Sequence, residues 1–295
     1  MFVRQFDGVE NILKEELYKN NLAPDCMGNF SHKEKNKDVF PAIRNNRIDF
    51  YSNGGKLFSY DKSRGFTTHR KYASVIMEGD IKGDYINLHD LKKCKLIKDF
   101  ELGYDRIKEL CGLYSGIESQ GVSRLYNRFS HSKNKRKSKI VVLDIEISFK
   151  SEEKIQDRID LLLFNTENKN LMFYEAKEFS NNEIRAQKGK KDPEVFKQIE
   201  RYKKQLNSVT KVNEIIEQYQ KYVEIINSLF PDNSPLPLPV AIDPDPRLLI
   251  FGFDNDQKNG RLQDNVKDLQ ALGIKVYSKG DIASVEIDQL WNSAK

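Results

Sequence analysis

The sequence predicts an α/β protein in which a mixed sheet is flanked by helices and preceded by a smaller N-terminal α+β module. Two apolar strand patterns, Asp157–Asn165 and Asn170–Phe179, follow each other across a short polar turn, as expected of a hairpin. A long helical pattern comes next, and then a strand, a helix and a last strand. Strands joined by hairpins and extended by a strand–helix–strand unit form a mixed α/β layer.

The N-terminal module is predicted to span residues 1–100. It opens with a helix, because Asp7 followed by Glu10 resembles a capping box. Apolar residues recur in this helix at helical spacing: Val9, Ile12, Leu13 and Leu17. Two aromatic-rich runs then flank Asn53-Gly54, which predicts a hairpin with a type I′ turn, since both central residues of that turn need positive φ. The segment 65–77 extends this hairpin into a small antiparallel sheet.

The main domain is predicted to span residues 101–295 and to begin with a helical segment, 104–131, that breaks near Ser115-Gly116. The strand of residues 139–149 follows. Its alternation places three polar side chains on one face, namely Asp144, Glu146 and Ser148. It places four apolar side chains on the other face, namely Leu143, Ile145, Ile147 and Phe149.

The last third of the chain completes the sheet. A long helical region covers Asp192–Phe230, with a break near Ser208–Thr210. The proline-rich segment 231–246 cannot continue a helix and reads as a connector. A buried strand over 247–254, a helix closed by Gly273 and a strand over 274–280 then extend the sheet.

Positive charge is concentrated in one segment. The whole chain has 49 Lys and Arg against 44 Asp and Glu, which gives a formal net charge of only +5. Between Ser123 and Lys139 there is no acid and there are seven cations: Arg124, Arg128, Lys133, Lys135, Arg136, Lys137 and Lys139. Such a run of cations favours contact with a polyanion. The alternative interpretation, which the sequence leaves open, is a solvated loop.

The cysteines and the apolar runs predict the compartment. Cys26, Cys94 and Cys111 are too few and too scattered for a disulfide framework or a zinc cage. The first residues lack the apolar segment of a signal peptide, and no apolar run approaches the roughly 18 residues needed to cross a bilayer. We therefore expect a soluble, cytoplasmic protein with no membrane partner.

Three charged residues interrupt the two apolar strands of the central hairpin. Glu175 and Lys177 share one face of their strand because side chains alternate, and Asp160 on the neighbouring strand can lie opposite them. Two carboxylates at close range repel each other, and a divalent cation relieves that repulsion. Mg²⁺ takes one or two carboxylates together with phosphate oxygens. The ammonium of Lys177 could then hold the attacking water or balance developing negative charge.

This arrangement resembles the PD-(D/E)XK nuclease superfamily, with Asp160 on one strand and Glu175-Ala176-Lys177 on the next. The resemblance covers Tyr104–Lys295 and implies a restriction-endonuclease-like fold and Mg²⁺-dependent hydrolysis of nucleic-acid phosphodiesters. It implies that Asp160, Glu175 and the carbonyl of Ala176 bind Mg²⁺, for which Mn²⁺ can substitute, and that Lys177 is catalytic.

Three further residues join the candidate site through the same resemblance. Gln198 and Tyr202, one helical turn apart, are similar to the Q-x-x-x-Y motif of the RecB-type branch. Glu118 falls where the family often carries an acidic residue on the helix before the first strand. The alternatives left open are packing for Gln198 and Tyr202 and a surface position for Glu118. Glu146 is an additional candidate because it shares the polar face of its strand.

The Asp/Glu-x-Lys triplet is common in a lysine-rich chain, so the surrounding sequence has to show which triplet belongs to the candidate site. It recurs in polar or glycine-flanked surroundings at 80–82, 90–92, 152–154, 167–169 and 256–258. Only Glu175–Lys177 ends an apolar strand that follows another strand carrying an acid. The four histidines lack metal-ligand spacing and no phosphate-binding loop motif appears, which disfavours a zinc hydrolase and an ATP-driven motor. A structural ion pair is the remaining alternative for the three residues.

We therefore expect a Mg²⁺-dependent nuclease that acts on nucleic acid, on DNA rather than RNA. A DNA endonuclease in restriction or antiviral (anti-phage) defence is the expected role, and either a homodimer or a partner defence protein is compatible with it. One alternative is a catalytically silent nucleic-acid-binding protein of the same fold. Another is a nuclease gated by a ligand or protein that binds the N-terminal module.

Overall fold

The computed structural model describes residues 2–15, 39–73, 83–87, 100–132, 138–149 and 158–292. Within these residues two β-sheets and the helices that cover them form the fold. Several predicted features lie outside them, namely Leu17, Cys26, Cys94, Lys133, Lys135, Arg136 and Lys137. No helix in the described part of the chain is both long enough and apolar enough to span a membrane.

The N-terminal residues form a short helix and an antiparallel sheet with the strands in sequence order. The elements are α1 (Val9–Lys14), β1 (Phe40–Arg44), β2 (Arg47–Ser52), β3 (Gly55–Asp61), β4 (Gly65–His69), α2 (Arg70–Ala73) and β5 (Tyr85–Asn87). Asn53 and Gly54 have φ of 49° and 84°, so the predicted type I′ turn between β2 and β3 is confirmed.

The second sheet is mixed, as predicted. Its strands are β6 (Ile140–Ser148), β7 (Arg158–Asn165), β8 (Asn170–Glu178), β9 (Ala241–Ile242), β10 (Arg247–Phe251) and β11 (Val276–Lys279). They are ordered β11-β10-β8-β7-β6, with the two-residue β9 beside the start of β8. β6, β7 and β8 are antiparallel, whereas β10 runs parallel to both β8 and β11.

Helices cover both faces of this sheet. They are α3 (Phe100–Leu113), α4 (Ile117–Phe129), α5 (Glu194–Leu206), α6 (Val209–Leu229), α7 (Asn255–Lys258), α8 (Arg261–Ala271) and α9 (Ile287–Asn292). The predicted breaks near residues 115 and 208 are both present, between α3 and α4 and between α5 and α6. Leu125 of α4 joins Leu161 and Tyr174 in one buried cluster. Tyr202 of α5 and Tyr219 of α6 join Phe173 in another, on the opposite face.

The N-terminal sheet packs directly onto the second sheet. One apolar cluster contains Phe50 and Phe58 of the first sheet as well as Leu143 and Phe173 of the second. A buried ion cluster reinforces the contact, because Asp144 of β6 binds two arginines of the N-terminal residues. The sequence boundary at residue 100 stays a prediction.

Two local predictions are wrong. The residue that caps α1 is Gly8, with no side-chain cap, so Asp7 forms no capping box. A Cβ at position 8 would lie 2.6 Å from the Phe6 ring, so that ring packs directly over the glycine that precedes the helix.

The predicted alternation along β6 is also interrupted. The register with β7 shifts between Val142 and Asp144, and Glu146 has a φ of 50°. As a result Leu143 and Ile145 belong to different apolar clusters instead of sharing a face, and Asp144 is completely buried. A bulge of this kind re-aims side chains, and no pattern of alternation can reveal it.

Candidate active site

The candidate site lies where two neighbouring strands separate. The β7–β8 ladder runs from Asn165–Asn170 to Leu161–Tyr174 and ends there. Beyond that point β7 still pairs with β6, and β8 still pairs with β10. The next residues along the diverging strands are Asp160 and Glu175. Asp160 Oδ2 accepts a hydrogen bond of 2.8 Å from the backbone N–H of Ala176. This side chain therefore links β7 to β8 beyond the last backbone pair of the ladder.

Glu175 and Lys177 point to one side of β8, as their spacing predicts. The side chains are 3% and 7% exposed, and Glu175 Oε1 lies 3.0 Å from Lys177 Nζ. Lys177 Nζ also lies 2.7 Å from Glu183 Oε2. The second oxygen of the Glu175 carboxylate, Oε2, is buried and has no hydrogen-bond partner among the described residues. A buried carboxylate oxygen without a protein donor is free to accept from a water or to bind an ion or ligand.

The two carboxylates favour their neutral forms in this setting. Burial, and then the repulsion from Glu175, hold the pKa of Asp160 well above its usual value. Burial also raises the pKa of Glu175 to about 7, although the neighbouring Lys177 opposes this shift. Burial would lower the pKa of Lys177, but the charges of Glu175 and Glu183 outweigh it and raise that pKa. Lys177 is therefore an ammonium at neutral pH.

Helix α5 brings Tyr202 against the site. The Tyr202 hydroxyl donates its one proton to the carbonyl of Arg158 in a 2.8 Å hydrogen bond, so it has none left for the Glu175 carboxyl beside it. Gln198 lies one turn earlier on the same helix, and its Oε1 is buried without a partner among the described residues. Tyr202 thus ties α5 to the start of β7, whereas Gln198 keeps an acceptor that no donor of the described residues reaches.

Glu118 and Glu146 flank the pair without touching it. Glu118, in the first turn of α4, accepts hydrogen bonds from the backbone N–H of Glu178 at 3.2 Å and from the Asn181 side chain at 2.7 Å. These contacts give it a positioning role at the end of β8. Glu146 lies 3.2 Å from the guanidinium of Arg158.

Two carboxylates suit Mg²⁺, which takes one or two of them and completes its shell with water and phosphate oxygens. In the described part of the chain no group of three or more His, Cys, Asp and Glu side chains has the geometry of a metal site. Asp160 and Glu175 by themselves would offer two carboxylates and would leave the remaining positions of a magnesium site open. The unused Oε2 of Glu175 is the atom that favours this interpretation.

Sequence reasoning missed Glu183. It lies in a short 3₁₀ turn, Asn182–Ile184, which the Asn181 side chain caps by accepting from the Glu183 N–H. The cluster Ser180-Asn181-Asn182 that precedes it is a recognisable cap and turn signal. Nothing local indicates that this turn folds back onto Lys177.

Comparison with protein-family models, with curated proteins and with solved structures found no match to the chain, so its own geometry is the basis for assigning a function.

Proposed function

We propose that this protein is a Mg²⁺-dependent nuclease that hydrolyses phosphodiester bonds, with DNA as its main substrate. The main observation behind this proposal is the pair Asp160 and Glu175, which lies where β7 and β8 separate. One buried oxygen of Glu175, beside Lys177, has no hydrogen-bond partner among the described residues. A purely structural ion pair would be expected to use all of its buried oxygens, because an unsatisfied one costs about 1–3 kcal/mol.

Asp160 and Glu175 would hold the metal ion, which would supply Lewis-acid polarisation of the phosphodiester. The Ala176 N–H orients the Asp160 carboxylate by its 2.8 Å hydrogen bond. Tyr202 holds α5 against the site through the Arg158 carbonyl. The carbonyl of Ala176 as a further ligand stays a prediction.

Lys177 acts as a cation rather than as a base. Its raised pKa keeps the ammonium protonated at neutral pH, so it cannot accept the proton of an attacking water. It can donate a hydrogen bond to that water, and it can stabilise negative charge that develops on the phosphate. Glu183, at 2.7 Å, holds the ammonium near this position.

The finer form of this proposal is a restriction-endonuclease-like enzyme in the cytoplasm that cuts foreign DNA. An endonuclease needs no strand end, so cleavage of closed circular DNA distinguishes it from an exonuclease. Purified protein incubated with linear, circular and single-stranded DNA and with RNA tests the whole proposal, in Mg²⁺ and in EDTA. We expect cleavage of DNA in Mg²⁺ alone.

A matched pair of variants separates the site from the rest of the chain. Lys177→Ala should lower the cleavage rate by about a thousandfold or more, since several kcal/mol of transition-state stabilisation are lost. Lys258→Ala, in the exposed Asp256–Lys258 triplet, should cleave like the wild type. A folded wild-type protein that cuts none of these substrates, or equal rates in the two variants, would contradict the proposal.

A further inference from the structure

A cavity of about 570 Å³ lies between the N-terminal sheet and the start of the second sheet. A volume of this size accommodates a nucleotide-sized ligand. Its walls come from the β2–β3 hairpin, from the α3–α4 turn and from the β6 and β7 strands. Five cationic side chains line it: Arg4, Arg44, Arg47, Lys56 and Arg158.

The carboxylates around the cavity do not neutralise these cations. Arg4 and Arg44 share one partner, Asp144, at 3.0 and 2.8 Å. Arg47 binds Asp49, and Arg158 binds Glu146, at 2.8 and 3.2 Å. Three carboxylates therefore pair with four arginines, and with Lys56 the five cations exceed the three carboxylates by two positive charges.

Lys56 is the cation left over. It forms no ion pair with any of the described residues, and its ammonium lies 5.8 Å from the centroid of the Tyr85 ring. Burial, and then the charges of Arg47, Arg44 and Arg158, lower its pKa, although Asp49 opposes them. A bound anion would remove that conflict.

Backbone groups add to the positive character of the cavity. Gly116 and Ser119, at the start of the 13-residue helix α4, line it, and no side chain caps this helix terminus. The first N–H groups of a helix favour anions. The hairpin turn packs closely against this helix terminus. A Cβ at Gly54 would lie only 2.5 Å from the Ser119 carbonyl carbon, so only glycine fits there. The cavity walls are therefore packed against each other.

An aromatic side chain stands at the edge of the cavity. Tyr114 lines it and remains 58% exposed, with the Lys71 ammonium 4.7 Å from the ring centroid. Leu113 and Ile117 beside it are also exposed. An exposed ring next to a cationic pocket suits stacking of a base, which is worth about 1–3 kcal/mol for each base.

The cavity adjoins the candidate active site. Arg158 lies two residues before Asp160 on β7, and its carbonyl is bound by Tyr202. The first turn of α4 supplies Ser119 to the cavity and Glu118 to the end of β8.

We propose that this cavity binds a phosphate group of the nucleic-acid strand, next to the one that is cleaved, with Lys56 as the main cation and Tyr114 stacking on a base. In this form the inference rests on the proposed nuclease function. A free nucleotide offers the same chemistry, and the experiment below separates the two sources.

The test measures binding in EDTA, so that no cleavage is required. Fluorescence anisotropy follows fluorescein-labelled single-stranded and duplex DNA at several salt concentrations. Thermal melts follow inorganic phosphate and AMP. The variants are Lys56→Glu, the milder Lys56→Gln, and the control Lys62→Glu in the exposed β3–β4 turn of the same sheet. Arg47 is left intact because it is the cation closest to the buried Asp49, at 2.8 Å against 3.8 Å for Arg44.

We expect Lys56→Glu to weaken DNA binding at least tenfold and Lys56→Gln several-fold, with Lys62→Glu within about twofold of wild type. The slope of log K against log salt on duplex DNA should become shallower by up to about 0.9 for each lost phosphate contact. If only the response to phosphate and AMP depends on Lys56, the phosphate site stands and its ligand is a free nucleotide. If the Lys56 variants match Lys62→Glu with every probe, the site is refuted.

The outcome is independent of catalysis. Binding that depends on Lys56 in a wild-type protein that cuts no substrate in Mg²⁺ would refute the nuclease function and retain the phosphate site. Cleavage in Mg²⁺ together with DNA binding that is the same in the Lys56 variants and in wild type would support the nuclease function and refute the phosphate site.

Discussion

Asp144 and Glu175 are buried carboxylates of the same sheet, and their surroundings are opposite. Asp144 accepts from Arg4 at 3.0 Å, from Arg44 at 2.8 Å and from the Tyr219 hydroxyl at 3.1 Å. Burial alone would raise its pKa, but Arg44 and Arg4 outweigh that effect and lower it. Both oxygens of this carboxylate therefore accept hydrogen bonds from protein donors.

Glu175 has one cation, Lys177, and a second carboxylate, Asp160, as neighbours. Its pKa is raised to about 7 by burial, and one of its oxygens has no partner among the described residues. The two carboxylates are both buried but have different partners, so burial by itself does not reveal the role of a carboxylate. The cluster around Asp144 holds two parts of the fold together, whereas the cluster around Glu175 leaves one carboxylate oxygen without a donor among the described residues.

The largest stability difference should come from removing one charge in each cluster. Asp144→Asn should lower the free energy of unfolding by about 3–5 kcal/mol, because it leaves the buried Arg4 without its counter-charge and Arg44 with only Asp49, 3.8 Å away. Glu175→Gln in EDTA at pH 7.5 should stay within about 1 kcal/mol of wild type, since the repulsion with Asp160 disappears and Lys177 keeps Glu183. Urea denaturation measures both. Equal losses in the two variants would show that both clusters are structural.

The pH dependence of stability should separate the clusters next. The folded-state pKa of Glu175 is about 7, above its unfolded value, so the folded protein holds a proton that the unfolded chain releases. The resulting stability is present below about pH 4.5 and is lost as pH rises to about 7, by up to about 3 kcal/mol. Asp144, whose pKa is lowered, acts in the other direction, and its contribution is lost as pH falls below about 4.

Unfolding of wild type and of Glu175→Gln in EDTA between pH 4.5 and 7.5 checks this expectation. The difference between the two proteins should grow with pH, in favour of the variant, since groups away from this site contribute equally to both. A difference that does not change with pH would contradict the raised pKa.

A smaller effect is expected from metal. At pH 7.5, Mg²⁺ or Mn²⁺ should raise the stability of the wild type by RT ln(1 + [L]/Kd), or about 1.4 kcal/mol at tenfold saturation. Asp160→Asn should be at least as stable as wild type in EDTA and should gain little from metal, because it lacks both the repulsion and a ligand. Thermal melts of both proteins with EDTA and with millimolar Mn²⁺ test this. A wild type that ignores both metals, with a destabilised Asp160→Asn, would indicate a structural ion pair.

The smallest expected effects lie on α5. Tyr202→Phe should cost about 1 kcal/mol, because the carbonyl of Arg158 loses its donor. Gln198→Leu should cost no more than about 0.5 kcal/mol, since the Oε1 atom that it removes makes no hydrogen bond with the described residues. Urea denaturation in EDTA compares the two variants. A larger loss for Gln198→Leu would assign that side chain to packing rather than to the site.

Much of this molecule could be predicted from its sequence, because the signals are local. Asn53-Gly54 defines a turn by its backbone freedom, and both helix breaks occur where the apolar pattern is interrupted. The spacing of Glu175 and Lys177 places them on one strand face whatever surrounds that strand. The mixed sheet follows from the order of strands and helices, and so does the position of Asp160 beside them.

Tertiary structure alone decided which charges meet. Arg4 and Asp144 are 140 residues apart, and the bulge in β6 that turns Asp144 into the core leaves no mark in the alternation. Glu183 reaches Lys177 only because a capped turn folds back over β8, and Lys56 meets Arg158 only because two sheets pack together. Hydrophobic periodicity reports which side of an element is buried. It carries no information about which distant side chain shares that burial, and this pairing is what distinguishes the Asp144 carboxylate from the Glu175 carboxylate.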